Sequence, residues 1–268
     1  MLLAINANNT NVKFAIYDGD TIVGHWRIAT DPARTADEYA VWLTHLMALK
    51  NLKLDDISDA IVAIVVPQAL YEIKVLCRNY FNSDPWVIGE GYVDLGIGVL
   101  IERPEEAGAD RLVNAVAGHT LYGGPLIIVD LGTATTFDVI NEDGDYIGGI
   151  IAPGINLSIE ALHKAAAKLP RIAIERPENA IGRSTVEAMK SGVYWGYVGL
   201  IEGLIKRIRD EHKRDDMKVI VTGGLAPLFD GATEVFDVLD VDITMKGLLE
   251  IHRRNRRNSR KNEQENNQ

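Results

Sequence analysis

Short apolar runs separated by polar turns open the chain. Leu2 to Ile5, Lys13 to Tyr17 and Thr21 to Ile28 read as strands, with Asn6-Ala7-Asn8-Asn9-Thr10 and Asp18-Gly19-Asp20 as the turns between them. Asn, Asp and Gly tolerate tight-turn backbone, so the pattern predicts a β-meander. From Thr35 to Leu49 the period changes. Tyr39, Trp42, Leu43 and Leu46 fall on one helical face, with Asp37 and Glu38 near the start. Ala60 to Val66 reads as a strand closed by Pro67, Gln68 to about Tyr80 as a helix, and Trp86 to Ile88 as a short strand. Further on, the spacing predicts a helix from Asp110 through Ala117, then strands at Leu126 to Asp130, Thr136 to Ile140 and Lys218 to Val221. Thr185 to His212 is helical throughout, and Gly192, Gly196 and Gly199 within it predict more than one helix.

The pattern repeats. Ile5-Asn6-Ala7-Asn8-Asn9 lies over Val129-Asp130-Leu131-Gly132-Thr133 at an offset of 124 (130 − 6). Each segment is a strand end, an acid or amide, a spacer, a turn residue and a hydroxyl or amide. Each runs on into an apolar strand and an acidic Gly turn, Asp18-Gly19-Asp20 in one and Asp143-Gly144-Asp145 in the other, with one extra residue before the second. A duplicated strand-turn-strand unit followed by helices predicts two related α/β halves that face each other.

Composition narrows the class. At 268 residues with 47% hydrophobic content, the chain can bury a sizeable core. A net charge of −10 disfavours nonspecific binding to nucleic acid or to an anionic membrane. The start lacks the features of a signal peptide, and no run of about 18 apolar residues occurs, so the expectation is a soluble cytoplasmic protein. Cys77 is the lone cysteine and reads as a buried structural thiol. Six of the nine residues from Arg253 to Lys261 are basic, and Asn, Glu and Gln end the chain. Residues 253–268 therefore read as a solubilising tail, disordered or a frayed helix end.

The familiar phosphate and metal motifs are missing: there is no G-x-x-x-x-G-K-[ST], no G-x-G-x-x-G after a strand, no H-E-x-x-H and no C-x-x-C. The two strand turns offer another device. Consecutive backbone N–H groups in a tight turn converge on an anion. Asn9, Thr10 and Asn11 add side-chain donors to the first turn, as do Thr133, Thr135 and Thr136 to the second. Two such turns can grip the phosphates of a nucleotide, and Asp130 at a strand end suits a cation that offsets their charge. Gly223-Gly224 reads either as a close approach to adenine or ribose or as an ordinary strand-to-helix turn. Gly108-Ala109-Asp110-Arg111 also has two readings. Asp110 is a helix cap, or it accepts a hydroxyl proton while Arg111 holds an anionic substrate group.

The segments GADRLVNAVAG, VDLGTATTFDVI, GGIIAPGI, AAAKLPRI, STVEAMKSGVYWGYVGLIEG and VTGGLA, in this order and spacing, resemble type III pantothenate kinases from residue 1 to about 252. The resemblance implies an α/β fold of two duplicated ribonuclease H-like (actin-like ATPase) domains, 1–118 and 119–252, with an inter-domain cleft. It implies ATP-dependent phosphorylation of the pantothenate primary hydroxyl, the first step toward coenzyme A. Asp110 would accept the proton, and Gly108, Ala109, Asp110, Arg111 and Thr185 would contact pantothenate. Asn6, Ala7, Asn8, Asn9, Thr10, Asn11, Val12, Lys13 and Thr133 would contact ATP, which brings Mg2+. Asp130 would hold K+ or NH4+, and the protein would be a homodimer.

The chain departs from the family where the first turn is normally D-x-G-N-T. Asn6 keeps the shape of the usual Asp but not its charge, and Asn8 replaces the usual Gly. Lys13 either aids phosphate binding or is a strand surface lysine. Ile101 stands where the family often has Tyr. Two functional readings follow. One is an active pantothenate kinase; the other is a catalytically weakened homologue that binds ligand or regulates.

Overall fold

The computed structural model describes residues 1–165 and 169–266, with residues 260–266 described by their backbone only. Its contacts divide the chain into two units, Met1–Thr120 together with Ile243 onward, and Leu121–Asp242.

The first unit is a five-stranded mixed sheet. Strands β1 (Leu2–Ala7), β2 (Asn11–Asp18), β3 (Thr21–Ala29), β4 (Asp59–Ile64) and β5 (Trp86–Val87) lie in the order β3-β2-β1-β4-β5. β1 is antiparallel to β2 and parallel to β4, so it sits at the centre and is buried along its whole length. Alternation gives the sheet two apolar faces. Leu3, Ile5, Phe14 and Ile16 pack on α1 (Ala36–Ala48) and α2 (Pro67–Phe81), through Tyr39, Leu43, Ile73 and Leu76. Leu2, Ala4, Ala15 and Tyr17 face the other way, toward Val113 and Val116 of α3 (Ala109–Tyr122). Each fully buried Leu, Ile or Phe contributes about 1.5–3 kcal/mol, so this two-sided burial fixes β1 and the turn that follows it. Local signals set the helix ends. Thr35 and Glu38 close a capping box on α1, and Pro67 takes the first position of α2.

The second unit repeats the plan. Strands β6 (Leu126–Leu131), β7 (Ala134–Ile140), β8 (Tyr146–Pro153), β9 (Lys218–Thr222) and β10 (Val238–Leu239) run in the order β10-β9-β6-β7-β8, which is the first sheet read from its other edge. β6 falls at an offset of 124 from β1 at both ends (126 − 2, 131 − 7). Both second strands carry a register shift, at Ile16/Tyr17 and Val139/Ile140. Both hairpins turn at a glycine of positive φ, Gly19 at 59° and Gly144 at 91°. Helices α4 (Ile155–Ala165) and α5 (Thr185–His212) cover one face, where Tyr194, Tyr197, Ile201 and Ile205 meet Ile127, Val129 and Phe137.

Four expectations change. β1 runs on through Ala7, so Asn6 and Ala7 belong to the strand and the turn is shorter. Thr185 to His212 is one helix of 28 residues, not several. Its glycines cost about 1 kcal/mol each relative to Ala, but burial of its opposite face outweighs them. The second half does not extend to residue 252, because the contacts divide after Asp242. Helix α6 (Ile243–Asn266) returns to the first unit, where Met245, Leu248 and Ile251 join α3. At Gly247 the approach is so close that a Cβ would lie 2.4 Å from the Val113 carbonyl oxygen.

The described part of the basic tail is the continuation of α6, not a separate disordered segment. Arg254 donates to the Leu95 carbonyl, and Asn255 bonds the Asp94 backbone twice, at 2.8 Å each way. Arg256 bonds Asp59 at 2.6 Å, and Arg253 pairs with Asp20. The side chains of residues 260–268 lie outside the described residues, as do residues 166–168 of the AAAKLPRI segment.

Candidate active site

In the first unit the turn after β1 is built by a hydrogen bond from Asn8 N–H to the Asn11 carbonyl, 3.0 Å. Thr30, just beyond β3, ties the turn down. Its hydroxyl donates to the Asn8 carbonyl at 2.5 Å and its N–H to the Thr10 carbonyl at 3.0 Å. These acceptors are occupied, so donors dominate the outward chemistry of the turn. Asn9 and Thr10 are exposed, and Asn8 and Asn11 are half-buried. Ala7 and Val12 are fully buried in the core, so their side chains serve packing. Asn6 is 1% exposed and lies directly opposite Lys13 in the β1–β2 register. The side-chain oxygens of Asn6 and Asn8 are buried and have no hydrogen-bond partner among the described residues.

Asp110 stands in the first turn of α3. Ala109 packs into the same cluster as Ala4, Ala15 and Ala63, which puts the helix start on the sheet face shared by Asn6 and Lys13. The Asp110 carboxylate accepts from the Arg111 N–H at 2.9 Å. A Cβ on Gly108 would lie 2.8 Å from that carboxylate, so the glycine makes room for it. Burial pushes the Asp110 pKa up, and the Arg111 N–H and guanidinium pull the other way. The carboxylate thus stands in the first turn of the helix and bonds a helix N–H there.

In the second unit, Asp130 is the last residue but one of β6, beside Thr136 on β7 and Thr222 on β9. Its carboxylate is cradled by glycines. A Cβ on Gly132 would lie 3.3 Å from Asp130 Oδ1, and one on Gly223 would lie 2.4 Å from it. Gly223 has φ 97°, a conformation that excludes most side chains. The close approach read at Gly223 is thus made to Asp130 and the Leu131 carbonyl. Gly154 does the same for the turn itself, since a Cβ there would meet the Thr133 carbonyl at 2.1 Å. Thr133 is exposed at the turn tip, but Thr135 is not a turn donor. It is fully buried, and its hydroxyl pairs with Tyr197 of α5.

Thr185 is the first residue of α5, after Ser184, whose hydroxyl accepts from the Glu187 N–H at 3.3 Å. It lines a cavity of about 680 Å³ between α4 and α5, with Ile155, Leu162, Met189, Gly192 and Gly196. Thr30, Gly154 and Gly223 support the turns from far along the chain, so the turn sequences alone do not point to them. Cys77 is buried and its thiol is pushed up to about 12, which fits a structural role.

Two five-stranded sheets of the same order, each with a turn after its central strand, define an actin-like ATPase fold. One solved structure with this fold, MreB 5 of Spiroplasma citri bound to AMPPNP, aligns with TM-score 0.55 at 11% identity, over 97% of this chain and 98% of its own. The profile of the family described as type III pantothenate kinase matches residues 2–207. A type III pantothenate kinase of Paramagnetospirillum magneticum is 63% identical over 95% of this chain and 98% of its own. One of Rhodospirillum rubrum is 60% identical over 95% and 99%. The chain belongs to the type III pantothenate kinase family, whose reaction phosphorylates pantothenate on the way to coenzyme A.

The residues present fit one implied cation and not the other. Asp130, a single carboxylate beside a backbone carbonyl, suits a monovalent ion. No cluster of three or more metal-ligating side chains occurs among the described residues, and the first turn offers no carboxylate to order Mg2+.

Proposed function

We propose that Asp110 is the proton acceptor when the pantothenate hydroxyl attacks the γ-phosphate of ATP in line. The observation that carries this reading is the Asp110 carboxylate, held at the α3 start by Gly108 and Arg111 with its pKa raised by burial. A base with a raised pKa accepts a proton more readily. Arg111 binds the substrate carboxylate by charge-assisted hydrogen bonds. Gly108, Ala109 and Thr185 complete the pantothenate contacts. Asn6 through Lys13 and Thr133 hold ATP, with the Ala7 and Val12 side chains packed in the core behind the turn. Asp130 holds K+ or NH4+, which offsets phosphate charge. Catalysis rests on positioning and charge neutralisation.

The protein works as a cytoplasmic homodimer in this reading. No described helix is long and apolar enough to cross a membrane. The test is formation of 4'-phosphopantothenate from pantothenate and ATP by purified protein, with and without K+. Absence of product across a wide ATP range sinks the reading. The unpartnered side-chain oxygens of Asn6 and Asn8, where the family has an acid and a glycine, favour a second reading, ligand binding without turnover. It is separated from the first by calorimetry beside the same assay, because it predicts binding with no product.

A further inference from the structure

We infer that the first turn grips oligophosphate without a divalent ion, as a purely donor site in which Lys13 carries the counter-charge. The inference rests on the nucleotide reading of residues 6–13 and names how that site recognises its ligand.

Four observations converge. Thr30 occupies the carbonyls of Asn8 and Thr10, which leaves N–H and amide groups as the outward chemistry. Between Ala4 and Phe14 there is no carboxylate, so nothing in the turn repels phosphate or recruits a metal to bridge to it. Asn6 and Lys13 are direct cross-strand partners on one face, where side chains stand within reach of each other. An acid at position 6 would neutralise the ammonium, and an amide does not. The Lys13 ammonium has no ion pair or hydrogen bond among the described residues, so its charge is unspent.

The fourth observation is the pair of buried oxygens on Asn6 and Asn8 that lack donors. An unsatisfied buried acceptor is costly, and a bound ligand's ordered water or the Lys13 ammonium relieves it. With the oxygens inward, each amide has N–H groups to present to a phosphate oxygen. A carboxylate has none to offer. The ligand class is a tri- or diphosphate chain with or without a nucleoside, bound as the metal-free anion.

The test is calorimetric titration of the full chain with ATP and with inorganic tripolyphosphate, in excess Mg2+ and in EDTA, for wild type, Asn6→Asp, Lys13→Met and Lys13→Arg. Removing Mg2+ is expected to weaken wild-type ATP binding by less than about tenfold and Asn6→Asp binding by about 100-fold or more. Lys13→Met is expected to lose at least about tenfold in EDTA, and Lys13→Arg to keep most of the affinity. Thermal melts verify that each variant is folded, and a failure of Lys13→Met to fold leaves Lys13→Arg and Asn6→Asp to decide. Equal Mg2+ dependence in wild type and Asn6→Asp overturns the inference while leaving the nucleotide reading intact. No ATP binding even with Mg2+ overturns both.

Discussion

The two strand turns share one plan and carry different side chains. The turn after β6 keeps an acid, Asp130, with Gly132 close beside it and Gly223 where no Cβ fits. The turn after β1 places an amide at the matching position, Asn6, opposite a lysine. Both are set on the central strand of a five-stranded sheet of the same order. The scaffold therefore fixes where a turn stands, and two or three side chains set the charge it carries. Duplicated folds diverge most cheaply in this way, because turn residues contribute little to the core that β1 and β6 bury.

The largest expected effect lies outside both turns and anchors the comparison. Asp110→Asn should lower kcat by about 10²–10⁴-fold, the usual worth of a general base, with little change in pantothenate KM. The same variant should be more stable than wild type at neutral pH. Burial raises the Asp110 pKa in the folded state, so the folded protein holds its proton more tightly than the unfolded chain. Stability linked to this group is full below the unfolded pKa and is lost as pH rises through the folded one. The Asn variant avoids that loss, so its advantage in Tm should disappear at acid pH. A neutral-pH Tm below wild type would argue that Asp110 is a structural cap instead.

Next in size is Gly223→Ala, which breaks the second turn. It forces a Cβ into contact with Asp130 Oδ1 at φ 97°, and should cost about 2–4 kcal/mol by chemical denaturation. It should also abolish any K+ dependence. A glycine in the first turn at the position that Gly132 holds in the second, Asn8→Gly, should change stability by less than about 1 kcal/mol, since Asn8 is not at positive φ.

A paired substitution sharpens the picture within one turn. Thr133→Ala should lower kcat/KM about tenfold and leave the melting temperature unchanged, because its side chain is exposed at the tip. Thr135→Val should do the reverse, losing about 1 kcal/mol of stability with the Tyr197 hydrogen bond and little activity. Activity loss in Thr135→Val equal to that of Thr133→Ala would restore Thr135 to the turn.

Much of this architecture is legible in the sequence. The repeat at offset 124, the strand-turn pattern of residues 2–28 and the capped helix after Thr35 are local signals, and local hydrogen bonds and two-residue alternation enforce them. What escapes is long-range. α6 reads as a polar tail because the groups that hold it, Asp59 and the backbone of Asp94 and Leu95, lie far back in the chain. β10 has only two residues and exists through its pairing with β9. Thr135 carries the same side chain as its neighbour Thr136. Strand alternation alone sends one into the core and leaves the other beside Asp130. The candidate residues are readable as types, while Thr30 and Gly154, which position the turns, become visible only once the sheets are assembled.

The central claim is that this chain transfers phosphate with its first turn as it stands, amide included. Its most direct test is the steady-state rate of 4'-phosphopantothenate formation by wild type beside the Asn6→Asp, Asn8→Gly double variant at saturating ATP, Mg2+ and K+. The account predicts turnover by wild type at a kcat within about tenfold of the double variant, a difference of about 1.4 kcal/mol in barrier. No product from wild type, with robust product from the double variant, would contradict it.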